Sequence, residues 1–405
     1  MKILVINGDC IQVNTSANLC HLAYLRGLTD AGHEVTLLSA DGRDYALDPS
    51  MKIPEGIRQH TYYGVSLYEK LSLQKKDQVQ TTQKSASSGQ KGKPTVRQKA
   101  IRFVKKAVLA SYGVHGIYST FVRKAMAFQS DEVYDYMISL STPVTSHLIA
   151  HRLREAGKVK CRHWIQVWED PWYSDAYGFN KRKEVFREER RLLSFAERIC
   201  YVSPITLKYQ KRLFPESKEK MYWEPLPAYY SAAKEESASE AKAFGYFGGY
   251  GMPARNLKHF YEAARNTKIN VTICGSSNIY LEATDTIQIY PRLTLEKLKP
   301  FEERTNILVF LCNRKGGQIP GKIYQYAATY KTILFILDGT EGEKRVIRNY
   351  FEPFNRFVFC ENTVEDIEQA ICRIMNDDYG NVVNRPLDAF EPVKIIQRIL
   401  EEGAR

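Results

Sequence analysis

The first forty residues restrict the fold more than any other stretch of the chain. KILVIN (2–7) is a short apolar run, and a polar loop separates it from SANLCHLAYLRGLTDAGHEV. In that second segment Leu19, Leu22, Leu25 and Leu28 recur at helical spacing, and Gly32 supplies a residue that can end a helix in a left-handed conformation. VTLLSA (35–40) is the next apolar run. Strand, helix and strand in this order form a βαβ unit, which implies a parallel sheet.

The alternation resumes further on. YMISLS (136–141), the helical PVTSHLIAHRLREAG, HWIQVW (163–168), the helical KRKEVFREERRLLSFAE and RICYVS (198–203) continue the pattern. A polar, Ala/Ser-rich connection around 228–242 interrupts it. It then begins again with FGYFGGY, RNLKHFYEAAR, INVTICG, TNILVFLC, TILFIL and FVFCEN. A chain of 405 residues is too long for one ordinary core. The expected fold is therefore α/β, with two Rossmann-like domains facing a cleft. The first spans 1–227 and carries a basic helical insertion at about 78–130. The second spans 243–380. A last amphipathic helix, PVKIIQRILEEG within 381–405, is expected to pack back towards the first domain.

The formal net charge of +12 calls for an anionic partner: nucleic acid, a membrane surface or a phosphorylated substrate. Its distribution discriminates among these. Residues 78–130 contain no Asp or Glu. Within them, TVRQKAIRFVKKAVLASYG places Ile101, Val104 and Val108 on one helical face. Lys99, Arg102, Lys105 and Lys106 occupy the rest, a pattern suited to an anionic membrane surface. A nucleic-acid partner is disfavoured, because the charge clusters in one insertion and no RNP-like, KH-like or zinc-finger pattern occurs. The eight cysteines form no CxxC pair and read as small buried hydrophobes of a reducing compartment. No secretory leader and no bilayer-length apolar run stands out. The expected location is cytoplasmic, peripheral on the inner face of the cell membrane.

Three segments carry candidate chemistry. In QIPGKIYQYAATYKTILFI (318–336), Pro320 suits the first position of a helix. Gly321 and Lys322 then present backbone N–H groups and a full charge to an anion. Gln325 shares the helical face of Lys322, while Ile323, Ala327 and Tyr330 are expected to pack on the sheet. In YFGGYGMPARNLKHF, Gly248 and Gly249 allow close approach to a phosphate, which Arg255 matches bidentately. Neither element is a GxGxxG or a P-loop, so a shared diphosphate is the argument for both. In HWIQVWEDPWYSD, Asp170 follows a strand end and could orient a sugar hydroxyl or act as a base; a turn-forming Asp-Pro is the plainer reading. His147 and His151 stand four apart on a helix but lack a third ligand, so no metal site is expected.

In their order along the chain, these segments resemble the GT-B glycosyltransferases, especially the retaining family 4 type that builds bacterial surface polysaccharides. SLSTPVTSHLIAHRL with WIQVWEDPW is similar to that family's first-domain turn, helix and strand end. YFGGYGMPARNL and QIPGKIYQYAATYKTILFI are similar to its donor-diphosphate elements. The resemblance covers almost the whole chain except roughly 60–130. It implies that Gly248, Gly249, Arg255, Gly321 and Lys322 hold a donor pyrophosphate, with a UDP-sugar as the expected donor and no separate cofactor. Gln325 stands where the family often has a glutamate on the ribose, and the partner glutamate position falls on Gly317. Asp170 and His147 would lie on the acceptor side, beside a saccharide or lipid-linked saccharide. Arg255 and Lys322 would stabilise the departing diphosphate during transfer with retention. The readings set against this are a nucleotide-sugar epimerase on the same scaffold and a non-catalytic basic membrane- or nucleic-acid-binding protein.

Overall fold

A computed structural model describes residues 1–66, 68–70, 111–175, 181–229 and 242–405. The expected membrane-binding residues Lys99, Arg102, Lys105 and Lys106 lie outside these described residues.

Among the described residues the strands are β1 (Lys2–Asn7), β2 (Glu34–Ala40), β3 (Arg58–Tyr62), β4 (Val133–Ser141), β5 (Lys160–Trp168), β6 (Arg198–Tyr201), β7 (Met221–Trp223), β8 (Ala243–Phe247), β9 (Asn270–Cys274), β10 (Ile287–Tyr290), β11 (Ile307–Leu311), β12 (Thr332–Leu337) and β13 (Val358–Glu361). The helices, numbered here in chain order, are α1 (Ser16–Asp30), α2 (Ser119–Ala125), α3 (Thr145–Glu155), α4 (Lys183–Phe195), α5 (Pro204–Leu213), α6 (Lys258–Thr267), α7 (Leu295–Glu303), α8 (Lys322–Ala327), α9 (Glu341–Phe351), α10 (Val364–Met375) and α11 (Pro392–Ala404).

The strands form two all-parallel sheets, ordered β3-β2-β1-β4-β5-β6-β7 and β10-β9-β8-β11-β12-β13. The α/β class and the two Rossmann-like units expected from the alternation are thus present. Each sheet reverses its winding once, between β1 and β4 in the first and between β8 and β11 in the second. Such reversals leave a crevice at the carboxyl ends of the strands, where loops diverge to opposite faces.

Local signals account for much of this. Thr15 caps α1 by accepting the Asn18 backbone N–H at 3.0 Å, and Gly32 beyond the helix end takes φ +77°. Leu22, Leu25 and Leu28 are buried, as their spacing predicts. Three strands escape the sequence pattern for physical reasons. β3 reads RQHTY and lies on a sheet edge, so it has no apolar face to reveal it. β7 has three residues, and β10 has four at the opposite edge of the second sheet.

The last helix crosses back over the molecule. Ile395, Ile396 and Ile399 of α11 are buried against the first domain. Tyr136 and Tyr222 donate hydrogen bonds to the carbonyls of Leu400 and Ile399, each at 3.2 Å. Arg398 pairs with Glu224 at 2.6 Å. The approach to α1 is so close that a Cβ on Gly27 would fall 2.4 Å from the Pro392 carbonyl oxygen. All eight cysteines are free; only Cys161, half-buried, and Cys372, exposed, lie outside the interior. Among the described residues no helix is long and apolar enough to cross a membrane.

Candidate active site

The carboxyl ends of both sheets meet at a cleft of about 330 Å³. Asn14, Glu169 and Asp170 line it from the first domain. Gly248, Gly249, Arg255, Arg292, Gln318, Gly321, Lys322 and Gln325 line it from the second. Every residue expected to bind a donor diphosphate is therefore on one wall, and Asp170 is on the other. The two walls differ in charge: three cations stand on the second-domain side and two adjacent carboxylates on the first.

On the second-domain wall, Gly248 and Gly249 directly follow β8. An added Cβ at either would meet no protein atom closer than 3.7 Å. Internal packing does not require glycine there, so the space it leaves belongs to the cleft. Arg255 is held rather than free: its Nε donates to Asn313 Oδ1 at 2.8 Å and its Nη1 to the Gly249 carbonyl at 2.8 Å. Lys322 Nζ pairs with Glu302 at 3.2 Å and sits 5.8 Å from the Tyr326 ring centroid. These contacts fix two cations beside two glycines, an arrangement matched to an anion with several oxygens.

The helix after Pro320 differs from the expectation. It has only six residues, and its first bonds are short-range, from Ile323 N to Pro320 O and from Tyr324 N to Gly321 O. So short a helix contributes little dipole, and charge selection falls to Arg255, Arg292 and Lys322. Ile323 and Ala327 are buried as expected, whereas Tyr330 is exposed. Gln325 spends its carbonyl on the chain itself, accepting the Tyr229 N–H at 2.7 Å and tying the second-domain wall to the end of the first domain.

On the first-domain wall, Asp170 accepts a short hydrogen bond from Gln318 across the cleft. Desolvation raises its pKa, and the Gln318 bond partly offsets this. Its neighbour Glu169 is buried, with a carboxyl raised to about 7, chiefly by desolvation. Sequence reading passed over Glu169, although it precedes Asp170 in the same WEDPW segment. It also missed His21, whose Nε2 faces Glu169 Oε1 at 3.3 Å.

His147, expected beside the acceptor, does not reach the cleft. It is fully buried behind Trp168, with ring centroids 4.4 Å apart, and its Nδ1 pairs with Ser139 Oγ at 2.8 Å. Burial lowers its pKa to about 3, so it stays neutral. His151, its neighbour one turn on, instead stacks on Phe195. The two imidazoles serve separate packing sites.

The loop between β11 and α8 explains the departure at Gly317. This residue takes φ +71°, and an added Cβ would fall 2.4 Å from Ile205 Cγ2 of α5. Its carbonyl accepts from Ser203 Oγ at 2.5 Å, the same hydroxyl that caps α5. A glutamate cannot occupy this position without pushing the domains apart. The loop that leads into α8 is thus seated by the first domain. Arg292 adds a second tie, donating to the Asn14 carbonyl at 3.0 Å.

The WEDPW loop has its own support. Glu189 of α4 is fully buried and accepts the Tyr173 N–H at 2.6 Å. Burial raises its carboxyl to about 7. A folded-state pKa above the unfolded value means that the native state binds more protons between about pH 4.5 and 7. Stability therefore falls as pH rises through that window. Glu189→Gln, which keeps an acceptor and removes the charge, is expected to flatten this fall in urea unfolding midpoints measured from pH 5 to 8. An unchanged slope would show that Glu189 does not titrate there.

No family model matches the sequence, and no curated protein does. Solved structures do resemble it. A sucrose-phosphate synthase from Thermosynechococcus elongatus is 13% identical, with a TM-score of 0.52 over 99% of this chain and 94% of that one. A glycosyltransferase from Rickettsia africae is 10% identical, with a TM-score of 0.49 over 100% and 93%. Arabidopsis thaliana UGT89C1, in complex with UDP-L-rhamnose, is 11% identical, with a TM-score of 0.47 over 99% and 93%. Likeness at such identities speaks to the fold alone. The chain has the GT-B architecture, two Rossmann-like α/β domains whose parallel sheets meet at one cleft.

Proposed function

We propose that this chain is a glycosyltransferase that moves a sugar from a nucleoside diphosphate donor to a saccharide or lipid-linked saccharide. The observation that carries this reading is the charge division of the cleft. Arg255, Arg292 and Lys322 stand on one wall beside Gly248 and Gly249, and Glu169 and Asp170 stand on the other. A diphosphate satisfies the first wall. A polyhydroxyl compound suits the second, because carboxylates accept hydroxyl hydrogen bonds. In this reading Arg255 and Lys322 stabilise the charge that develops on the departing diphosphate. The reading extends to transfer with retention, in which the acceptor hydroxyl attacks on the face that the diphosphate leaves and the diphosphate takes the proton. Thermal-shift measurements against UDP, GDP, dTDP and CDP test the donor side. A rise in midpoint with one of them is expected, since a ligand of the folded state stabilises it. No rise with any at millimolar concentration counts against the reading.

The basic segment gives the proposal its setting in cell-surface polysaccharide synthesis. Lys99, Arg102, Lys105 and Lys106 would hold the enzyme against an anionic leaflet that carries a lipid-linked acceptor. Each basic residue near such a surface contributes about 1 kcal/mol. Replacing all four by Gln should weaken sedimentation with phosphatidylglycerol vesicles by 10²-fold or more. Equal binding of the variant removes this part of the reading.

A further inference from the structure

Beneath the first-domain wall, Glu169 and His21 form a pair that the diphosphate does not use. His21 is wholly buried in α1, and Glu169, 7% exposed, lies at the end of β5 and lines the cleft. Glu169 Oε1 and His21 Nε2 face each other at 3.3 Å, and neither atom has a hydrogen-bond partner.

The surroundings fix the imidazole. Asn7 donates its Nδ2 to the Asp9 carbonyl at 2.9 Å, which turns its Oδ1 towards His21 Nδ1 at 2.8 Å. An amide oxygen only accepts, so Nδ1 carries a hydrogen. Nε2 is then a bare lone pair when the ring is neutral and an N–H when it is charged. Facing a carboxyl oxygen, it forms a bond in only two ways: a protonated Glu169 donates to neutral His21, or charged His21 donates to ionised Glu169.

Of the other titratable groups around the pair, Asp9 interacts with His21 by charge, and burial raises its carboxyl to about 6, so it titrates at the lower end of the range and is ionised above pH 7; the rest do not titrate near neutrality. Cys20 and Tyr24, also on α1, are pushed well up by burial and stay protonated. His147, behind on α3, stays neutral. Asp170 is committed to Gln318.

We infer that Glu169 binds a hydroxyl of the transferred sugar through Oε2, and that His21 acts as a positioning residue which sets whether Glu169 meets that hydroxyl as an acceptor or a donor. This rests on the donor reading given above. A buried carboxyl with one oxygen turned inward to a proton partner keeps the other for the cleft, and a saccharide hydroxyl is both donor and acceptor. It can pair with either state, but a charged acceptor forms the stronger bond. Recognition of the sugar should therefore strengthen as pH rises and Glu169 ionises.

Calorimetry tests this with the nucleoside diphosphate that binds among UDP, GDP, dTDP and CDP, and with its glucose, galactose, mannose and N-acetylglucosamine esters, from pH 6 to 8. The quantity read is the affinity for the best sugar ester divided by that for the free diphosphate. In the native chain this ratio should rise with pH. In Glu169→Gln it should fall about tenfold at pH 8 and lose its pH dependence. In His21→Gln it should keep a pH dependence with a higher midpoint, because the neighbour that holds the Glu169 carboxyl down is gone. A native-like thermal unfolding midpoint certifies that each variant is folded, and the His21 variant decides the matter if Glu169→Gln is not. A ratio and pH profile equal to the native ones in folded Glu169→Gln, or an unmoved midpoint in folded His21→Gln, overturns the inference alone. Failure of every diphosphate to bind the native chain overturns the donor reading and this inference with it.

Discussion

Alanine in place of Arg255 or Lys322 is expected to weaken binding of the nucleoside diphosphate by 10- to 100-fold, with little change in thermal stability. The size follows from removing a charge-assisted hydrogen bond, about 1.5–3 kcal/mol, from a partly enclosed anion site. The two variants should differ in character. Arg255 also braces the Gly249 carbonyl and Asn313, so its loss disturbs the shape of the glycine turn as well as its charge. Lys322 leaves Glu302 without its partner. An uncompensated carboxylate near the diphosphate repels it, and salt screens that repulsion, so Lys322→Ala should show the shallower dependence on salt. Glu302→Gln separates the effects: it frees Lys322 for the ligand and should tighten binding. Isothermal titration at two ionic strengths reads all three. Native affinity in both alanine variants would remove the diphosphate from this wall and, with it, the assignment of Gly248, Gly249, Gly321 and Gln325 as its neighbours.

A carboxylate at the centre of the last helix should do the most damage to stability. Ile399→Asp is expected to cost about 4 kcal/mol or more in urea unfolding. Ile399 is fully buried in the apolar core. The cost combines lost apolar burial with a charge that must be desolvated or neutralised. Ile399→Val, which removes one methylene, should cost only about 1 kcal/mol. The comparison matters because α11 follows the second domain in sequence but packs on α1 and on the first sheet. Its loss should unfold the first domain ahead of the second, giving two separate transitions. A native unfolding midpoint in the Asp variant would contradict this packing.

How legible the cleft was depended on the range of each interaction. Gly248 and Gly249 follow the end of β8, and Gly321 and Lys322 open α8; both boundaries are readable from residues close by in the sequence. Asp170 was found in the same way. Glu169 and His21 were not, because each alone reads as part of a buried element; only the meeting of β5 and α1 turns them into a pair. His147 shows the reverse error. Its neighbouring motif is local, but whether an imidazole reaches a cleft depends on Trp168 standing in the way. The six-residue α8 was overestimated because its apolar spacing continues past the point where the chain turns into β12.

The sequence by itself determined the α/β class and the parallel sheets, and it displayed Arg255 and Lys322 close to glycines. These rest on periodicity and residue type within a dozen positions, which a linear chain displays directly. Tertiary structure alone decided the contacts between distant segments. It set Gln318 against Asp170, Gln325 against Tyr229 and Gly317 against Ile205. Each of these joins residues about a hundred or more positions apart. No local pattern encodes such a meeting, because its free energy arises only when both domains have folded and closed on each other.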